Sequence, residues 1–253
     1  MIQTPLRTMT MGDFFRCTLP LISEHPQQEY TYSFGGTSFL VTYRGALCAI
    51  TAQHVLDNVH ADLQRLRVLS GPGGDEFLPL KGISTSNTLE SHADIAIIEI
   101  DQMQLSQDTW NKLYPVNLDE LNRTNRFIKD TSTLCLRGYP MCLSEIDYSR
   151  SVMKFCGYYT ESRYKGFSTA KHCHELDFVD LSNVDSINGM SGSPVLHVIK
   201  TGSRSLLYDF AGMLIMGTKE SCIGHFIDSS VIYAALDYLM FNQQIDGAAY
   251  RRP

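Results

Sequence analysis

Three short stretches of the sequence carry residue types that together could activate a serine. The stretch NGMSGSPV holds Ser191 between two glycines, ITAQHV holds His54, and HADIAIIEI holds Asp94. A serine hydroxyl is a weak nucleophile until a base accepts its proton, and a histidine oriented by a carboxylate is such a base. The chain order His54, Asp94, Ser191 therefore predicts a site for acyl transfer.

The glycines beside Ser191 admit two interpretations. Glycine loses more conformational freedom on folding than any other residue, so it marks an unusual backbone path or a close approach. The simpler interpretation is a tight turn between strands. The alternative is a loop that directs the backbone N–H groups of Gly189 and Ser191 towards a developing oxyanion. Each stretch alone also fits a structural role, and the combination favours the chemical one.

The elements that would position these residues are mostly strands. TYSFGGTSFLVTYRG, DIAIIEI, STLCLRGYP and SPVLHVI are rich in β-branched and aromatic residues and are separated by turn signals. Many short strands of this kind predict a barrel or a sandwich. SSVIYAALDYLMFNQQ repeats its apolar residues at helical spacing and predicts one helix, with Ser229 or Ser230 as its cap.

These stretches resemble those of the trypsin/chymotrypsin-like serine proteases. GTSFLV and ITAQHV are similar to the strand and turn that carry the family's histidine, ADIAII to its aspartate strand, and NGMSGSPV to its serine loop. The resemblance covers roughly residues 30 to 240. It implies that His54 is the general base, that Asp94 orients it, that Ser191 is the nucleophile, and that Gly189 and Ser191 form the oxyanion hole.

The resemblance also implies a fold, an all-β protein with two six-stranded antiparallel barrels and a C-terminal α-helix. The whole chain, 1–253, would be one peptidase domain. Its expected parts are an N-terminal segment 1–29, a first barrel 30–100, a connection 101–130, a second barrel 131–228 and a helix 229–244.

Two positions depart from the animal members of the family that are activated by cleavage. Met190 precedes the serine where those members have an aspartate that pairs with a newly freed amino terminus, and Val55 follows the histidine where a cysteine is common. The chain is thus more similar to the bacterial HtrA-like and glutamyl-endopeptidase members. We expect the site to form without cleavage near the amino terminus.

The sequence identifies the residues that would bind the substrate less clearly than those of the expected catalytic site. Asp185 and Ser186 precede the loop, and Asp185 lies six residues before Ser191, where trypsin has the aspartate that binds Arg or Lys. Asp185 would otherwise only anchor the loop, and His225 could instead receive an acidic side chain. The strand FAGMLIMG resembles the one beside the bound substrate, and its pocket candidates are Ile215, Met216 and Gly217.

Two clusters, KHCHE and CIGH, raise the alternative of a zinc site. They contain His172, Cys173, His174, Cys222 and His225. Zinc requires four converging ligands, and the paired Cys-x-x-Cys spacing of structural zinc sites is missing. We therefore expect neither a metal nor a cofactor.

Composition narrows the function classes. A net charge of -6 without a long Lys/Arg run gives no reason to expect nucleic-acid or membrane binding. Seven cysteines are an odd number, and no export signal precedes them, so we expect free thiols in the cytoplasm. The expected partners are a protein or peptide substrate and a possible regulatory protein. Two rival functions stay open, a silent binding protein with a protease fold and a latent effector protease that a partner switches on.

Overall fold

A computed structural model describes most of the chain. The described residues are 11–26, 29–59, 62–71, 76–85, 93–121, 128–129, 132–150, 152–170, 172–200 and 206–249. The α-helices in these ranges are α1 (Met11–Cys17), α2 (Gln53–Asn58), α3 (Gln107–Lys112) and α4 (Ser229–Ala249).

The first half of the chain forms one seven-stranded sheet. Its strands are β1 (Thr18–Glu24), β2 (Tyr32–Tyr43), β3 (Ala46–Thr51), β4 (Leu66–Val68), β5 (Leu80–Thr85), β6 (Ala96–Ile100) and β7 (Val116–Asn117). Their order is β4-β1-β2-β3-β6-β5, and β7 pairs in parallel with β2. Every other pairing in the sheet is antiparallel.

This sheet curls without closing. A bridge joins Leu69 to Phe77, and the Leu78 N–H donates to Val68 O at 2.8 Å, so β4 lies against the segment that leads into β5. Within the described residues no ladder joins β4 to β5 themselves, and the sheet is a half-barrel. Two of its strands, β1 and β7, also lie outside the range 30–100. Strand β1 is buried at nearly every residue, so it lacks the alternation that identifies a half-buried strand.

The second half forms a closed antiparallel barrel of six strands. They are β8 (Thr133–Gly138), β11 (Tyr158–Phe167), β12 (Cys173–Phe178), β13 (Pro194–Lys200), β14 (Leu206–Thr218) and β15 (Ile223–Asp228). A hairpin of β9 (Ser144–Asp147) and β10 (Val152–Phe155) stands outside it. The barrel closes because β8 pairs with both β11 and β13. A mostly β fold with one closed six-stranded barrel is confirmed, and the strands of this barrel lie between Thr133 and Asp228.

The two halves share one hydrophobic core, which fixes how they meet. Phe39 of β2 and Phe210 of β14 are fully buried, and their ring centroids lie 5.5 Å apart. Burying a phenyl ring contributes about 2 kcal/mol, so contacts between the halves resist separation.

Helix α4 follows the barrel but packs against the first half. The hydroxyl of Tyr43 donates to Asp237 Oδ1 at 2.5 Å, and the hydroxyl of Tyr233 donates to Leu118 O at 3.1 Å. The helix is confirmed, and it extends five residues beyond the predicted end at 244. Asp228 caps its first turn, since the carboxylate accepts from the Ser230 N–H at 2.7 Å.

All seven cysteines lie among the described residues, and all are free thiols. Burial raises the pKa of Cys17, Cys48 and Cys135 to about 12, so these thiols stay protonated at neutral pH. No helix in the described ranges combines the length and the apolar character that a bilayer crossing requires.

Candidate active site

The histidine and the carboxylate meet because their strands are neighbours. Strand β3 ends at Thr51, which pairs with Ala96 at the start of β6. His54, just after β3, and Asp94, just before β6, therefore reach the same edge of the sheet. The Asp94 carboxylate accepts twice from one residue, from the His54 backbone N–H at 2.9 Å and from His54 Nδ1 at 2.5 Å.

This pairing determines which nitrogen of His54 can act as a base. A carboxylate only accepts hydrogen bonds, so Nδ1 carries the proton and the lone pair lies on Nε2. The side chains of His54 and Asp94 are 39% and 31% exposed, so the pair is open to a reactant. Cys173 lies close enough to Asp94 for the carboxylate charge to affect the ionisation of its thiol. Burial and then this charge raise the pKa of its thiol.

The serine loop takes a backbone path that its two glycines permit. Gly189 has φ +94° and Gly192 has φ +92°, in the left-handed region. A Cβ on Gly192 would lie 1.9 Å from the carbonyl oxygen of Thr37, and one on Gly189 would lie 2.7 Å from a ring carbon of Phe34. The loop thus requires glycine at both positions, and both press against β2.

Thr37 in β2 is the residue that holds the serine loop. Its N–H donates to Ser191 O at 3.2 Å, and its hydroxyl donates to Gly189 O at 2.8 Å. The same hydroxyl accepts from the Tyr139 N–H at 2.8 Å. These bonds join residues more than 100 positions apart, so Thr37 ties the serine loop and Tyr139 to β2.

The same junction connects the serine loop with the histidine turn. A Cβ on Gly36 would lie 2.9 Å from the side chain of Val55 and 3.5 Å from Ser191 O. Val55 follows His54 in α2. The structure therefore brings the loop of Ser191 and the helix of His54 to neighbouring positions along β2.

The Ser191 hydroxyl points to a backbone acceptor. Its Oγ donates to Ile215 O at 2.9 Å, and no hydrogen bond joins it to His54 within the described chain. Ile215 lies in a β-bulge between Leu214 and Met216, where the register of β14 against β15 shifts by one residue. The hydroxyl must rotate away from Ile215 before it can donate to His54.

Two N–H groups beside the serine are available to an acceptor. The N–H of Met190 donates to Ile187 O at 3.0 Å, and that of Gly192 donates to Leu214 O at 2.8 Å. Those of Gly189 and Ser191 donate to no acceptor among the described residues. An oxyanion hole requires two such N–H groups without a partner in the folded chain.

The pocket candidates divide into those near the serine and those away from it. The carbonyl oxygen of Ile215 accepts the hydrogen bond from Ser191, and Met216 beside it is 57% exposed. Gly217 faces the side chains of Ile187 and Phe178.

The remaining candidates lie elsewhere. Asp185 and Ser186 lie in the loop that leads to Ser191, where Asp185 is exposed and the Ser186 hydroxyl accepts from the Asn188 N–H at 3.1 Å. His225 Nδ1 shares a hydrogen bond of 3.1 Å with Ser168 Oγ.

The KHCHE and CIGH clusters do not converge. His174 is buried, and both ring nitrogens are engaged, Nδ1 with the Tyr164 hydroxyl at 2.8 Å and Nε2 with Asp228 at 3.1 Å. Cys222 donates to Lys219 O. In the described part of the chain no three His, Cys, Asp or Glu residues are grouped so as to hold a metal ion.

Two comparisons with known proteins found no match. No model of a known protein family matches the chain, and a search of curated proteins gives no significant match.

Proposed function

We propose that this protein is a serine endopeptidase of the trypsin/chymotrypsin-like class. The observation that carries the proposal is the hydrogen-bonded pair of His54 and Asp94 beside a glycine loop that holds Ser191 and two unengaged N–H groups. The closed barrel and the curled first sheet are compatible with the double-barrel fold of that class. The match to the family is part of the proposal.

The residues act in a fixed sequence. The Ser191 hydroxyl gives its proton to His54 Nε2 as Oγ attacks the peptide carbonyl carbon. The resulting oxyanion accepts from the N–H groups of Gly189 and Ser191, and Asp94 stabilises the imidazolium. His54 then protonates the leaving amine, which leaves an acyl group on Oγ. Water activated by His54 attacks that ester and restores the serine.

Met190 supports a site that needs no cleavage near the amino terminus. Its side chain is fully buried in the barrel core, and its carbonyl accepts from the Ser193 N–H at 3.0 Å and the Ser193 hydroxyl at 2.6 Å. Apolar packing thus anchors the residue before the nucleophile. No ion pair with a new amino terminus is required there.

The hydrogen bond from Ser191 to Ile215 favours a second candidate, a protein that is silent or latent until a partner reshapes the site. The strength of this hydrogen bond decides how inactive the protein would be without a partner. A net 0.5–1.5 kcal/mol for a typical hydrogen bond lowers the population of a free hydroxyl by only about 2- to 13-fold. That slows acylation without preventing it, so the peptidase is the better proposal. A regulatory partner stays a prediction, and seven free thiols fit the proposed cytoplasmic location.

A fluorophosphonate probe tests the proposal directly. Ser191 Oγ would bond to phosphorus, fluoride would leave, and His54 would take the hydroxyl proton. We expect intact-mass labelling of wild type and of Ser182→Ala, which removes an exposed serine outside the loop, and none of Ser191→Ala. Folded wild-type protein that never labels would support the silent binding protein instead.

A further inference from the structure

The space beside the nucleophile lies between two segments. Ser191 Oγ is bonded to Ile215 O, so an acyl group on this oxygen would lie between the loop before Ser191 and the end of β14. The side chain of the residue that contributes the acyl group must enter the gap between these segments. What fills that gap decides which residue can precede the scissile bond.

A phenyl ring occupies the gap. A Cβ on Gly217 would lie 3.2 Å from Phe178 Cε2 and 3.0 Å from Ile187 Cδ1. Gly217 pairs with Gly224 across β14 and β15, and a Cβ on Gly224 would lie 3.0 Å from Phe178 Cζ. The ring of Phe178 therefore contacts both glycines. Phe178 and Ile187 are each only 5% exposed, so they form the floor of the gap.

Hydrogen bonds hold this floor in place. The Phe178 N–H donates to Cys222 O at 2.8 Å, which ties the end of β12 to the turn between β14 and β15. Lys219 Nζ donates to Val184 O, which joins that turn to the loop before the serine. Widening the gap would break these contacts between segments.

The charged side chain at the edge of the gap is Lys219, whose ammonium is already bonded to Val184 O. Asp185 is exposed. Alternate residues of a strand point to opposite faces. Because Phe226 of β15 lies in the barrel core, its neighbour His225 points to the outer face, where it meets Ser168. The floor of the gap, formed by Phe178 and Ile187, is apolar and carries no counter-charge for Arg, Lys, Asp or Glu.

We propose that Phe178 and Ile187 restrict this site to peptides with a small uncharged residue, such as glycine, alanine or serine, on the acyl side of the scissile bond. The inference rests on the proposed peptidase function and identifies its substrate class. It replaces the expectation, based on the position of Asp185 in the sequence, that cleavage follows Arg or Lys. Phe178 and Ile187 are thereby assigned as specificity-determining residues.

The test compares fluorogenic peptides that differ only in the residue before the scissile bond: Ala, Phe, Arg or Glu. We expect wild-type kcat/KM for the Ala peptide to exceed that for the other three by at least about 100-fold, as for a substrate group that a filled pocket excludes. Phe178→Ala should raise kcat/KM for the Phe peptide and lower the Ala/Phe ratio at least tenfold. Ile187→Ala should act in the same direction.

Phe210→Ala is the matched control, because it truncates a buried phenylalanine of the same barrel that packs on Phe39 away from the gap. It should leave the Ala/Phe ratio unchanged. Thermal unfolding and active-site titration with the fluorophosphonate report the folded, competent fraction of each variant. The less disruptive pair Phe178→Leu and Phe210→Leu replaces any variant that does not fold.

The outcomes separate the inference from the function on which it rests. Wild type that labels at Ser191 but cleaves the Phe or Arg peptide as well as the Ala peptide overturns the inference alone. Folded, titratable Phe178 and Ile187 variants without any gain on the Phe peptide also overturn it. Folded wild type that neither labels nor cleaves overturns the proposed function, and the inference with it.

Discussion

The two parts of the candidate site differ in how far their side chains are already oriented for the proposed reaction. In the first half, two hydrogen bonds between His54 and Asp94 already fix the ring and its tautomer. In the second half, the backbone of the serine loop is fixed by Thr37, yet the Ser191 hydroxyl is bonded to Ile215 O. In the proposed mechanism His54 is already oriented, whereas the Ser191 hydroxyl must first leave Ile215 O. The proposal therefore requires substrate binding to act on the serine part of the site.

Asp94→Asn tests the prepared half and should have the largest effect. The amide cannot accept from Nδ1–H through its NH₂ group, so the ring loses the tautomer that leaves Nε2 free. We expect kcat to fall on the order of 10⁴-fold, with stability changed by at most about 1 kcal/mol for one altered hydrogen bond. Peptide cleavage and urea unfolding measure the two quantities.

Asp62→Asn is the control for that change, because Asp62 is exposed in a turn of the same half, where it accepts from nearby N–H groups and lies 4.0 Å from Arg65 Nε. It should leave kcat as it is. A loss of less than tenfold in Asp94→Asn would show that the pair does not orient the base.

Gly192→Ala tests how the serine half is held. The added Cβ would lie 1.9 Å from Thr37 O, a backbone atom, and the residue would keep φ +92°. Backbone strain and a clash that no side chain can relieve should lower the free energy of unfolding by more than about 3 kcal/mol. Fluorophosphonate labelling should be lost with it, because the loop must move off β2.

Gly71→Ala is the matched control, since a Cβ there meets nothing within 4 Å. Urea unfolding of the two variants should differ by several kcal/mol. Equal stabilities would contradict the view that the loop is wedged against the first half.

The same contrast explains what the sequence could predict. His54, Asp94 and the glycines around Ser191 are adjacent to strands with strong local patterns, so chain order and residue type were enough to select them. The role of Thr37 left no such signal, because its hydrogen bonds join residues far apart in the chain. The direction of the Ser191 hydroxyl depends on a bulge at Ile215, which periodicity does not reveal.

The fold also has parts that the sequence predicted and parts that it did not. Short strands and turns predicted the β class, whereas the barrel over 131–228 was expected from the resemblance to a known family. The half-barrel was not predictable in this manner, since β1 is buried on both faces and β7 is two residues long. The occupant of the gap was missed for a related reason. Phe178 is a barrel residue by pattern, and only the pairing of Gly217 with Gly224 places both glycines against its ring.

The smallest expected effect is on the stability of the barrel, with no change at the candidate active site. Asp209 of β14 lies opposite His197 of β13, and burial raises the pKa of its carboxyl to about 6. The folded state thus holds this proton more tightly than the unfolded state does. Stability is therefore lost as pH rises from about 4 to about 6 and is constant above that range. Burial also lowers the pKa of His197, so a neutral ring faces the carboxylate at pH 7.

Asp209→Asn removes the cost of that charge and keeps an oxygen to accept from the Phe210 N–H, now at 3.0 Å. Because the carboxyl is partly exposed, solvent screens it, and we expect a gain on the order of 1–2 kcal/mol at pH 7.5 and about half of that or less at pH 4.5. Urea unfolding at the two pH values measures the difference between wild type and variant. The labelling rate of Ser191 should not change, because the substitution lies in a part of the barrel that touches neither His54 nor the serine loop. A gain of equal size at both pH values would mean that packing, and not the charge, limits the barrel at this position.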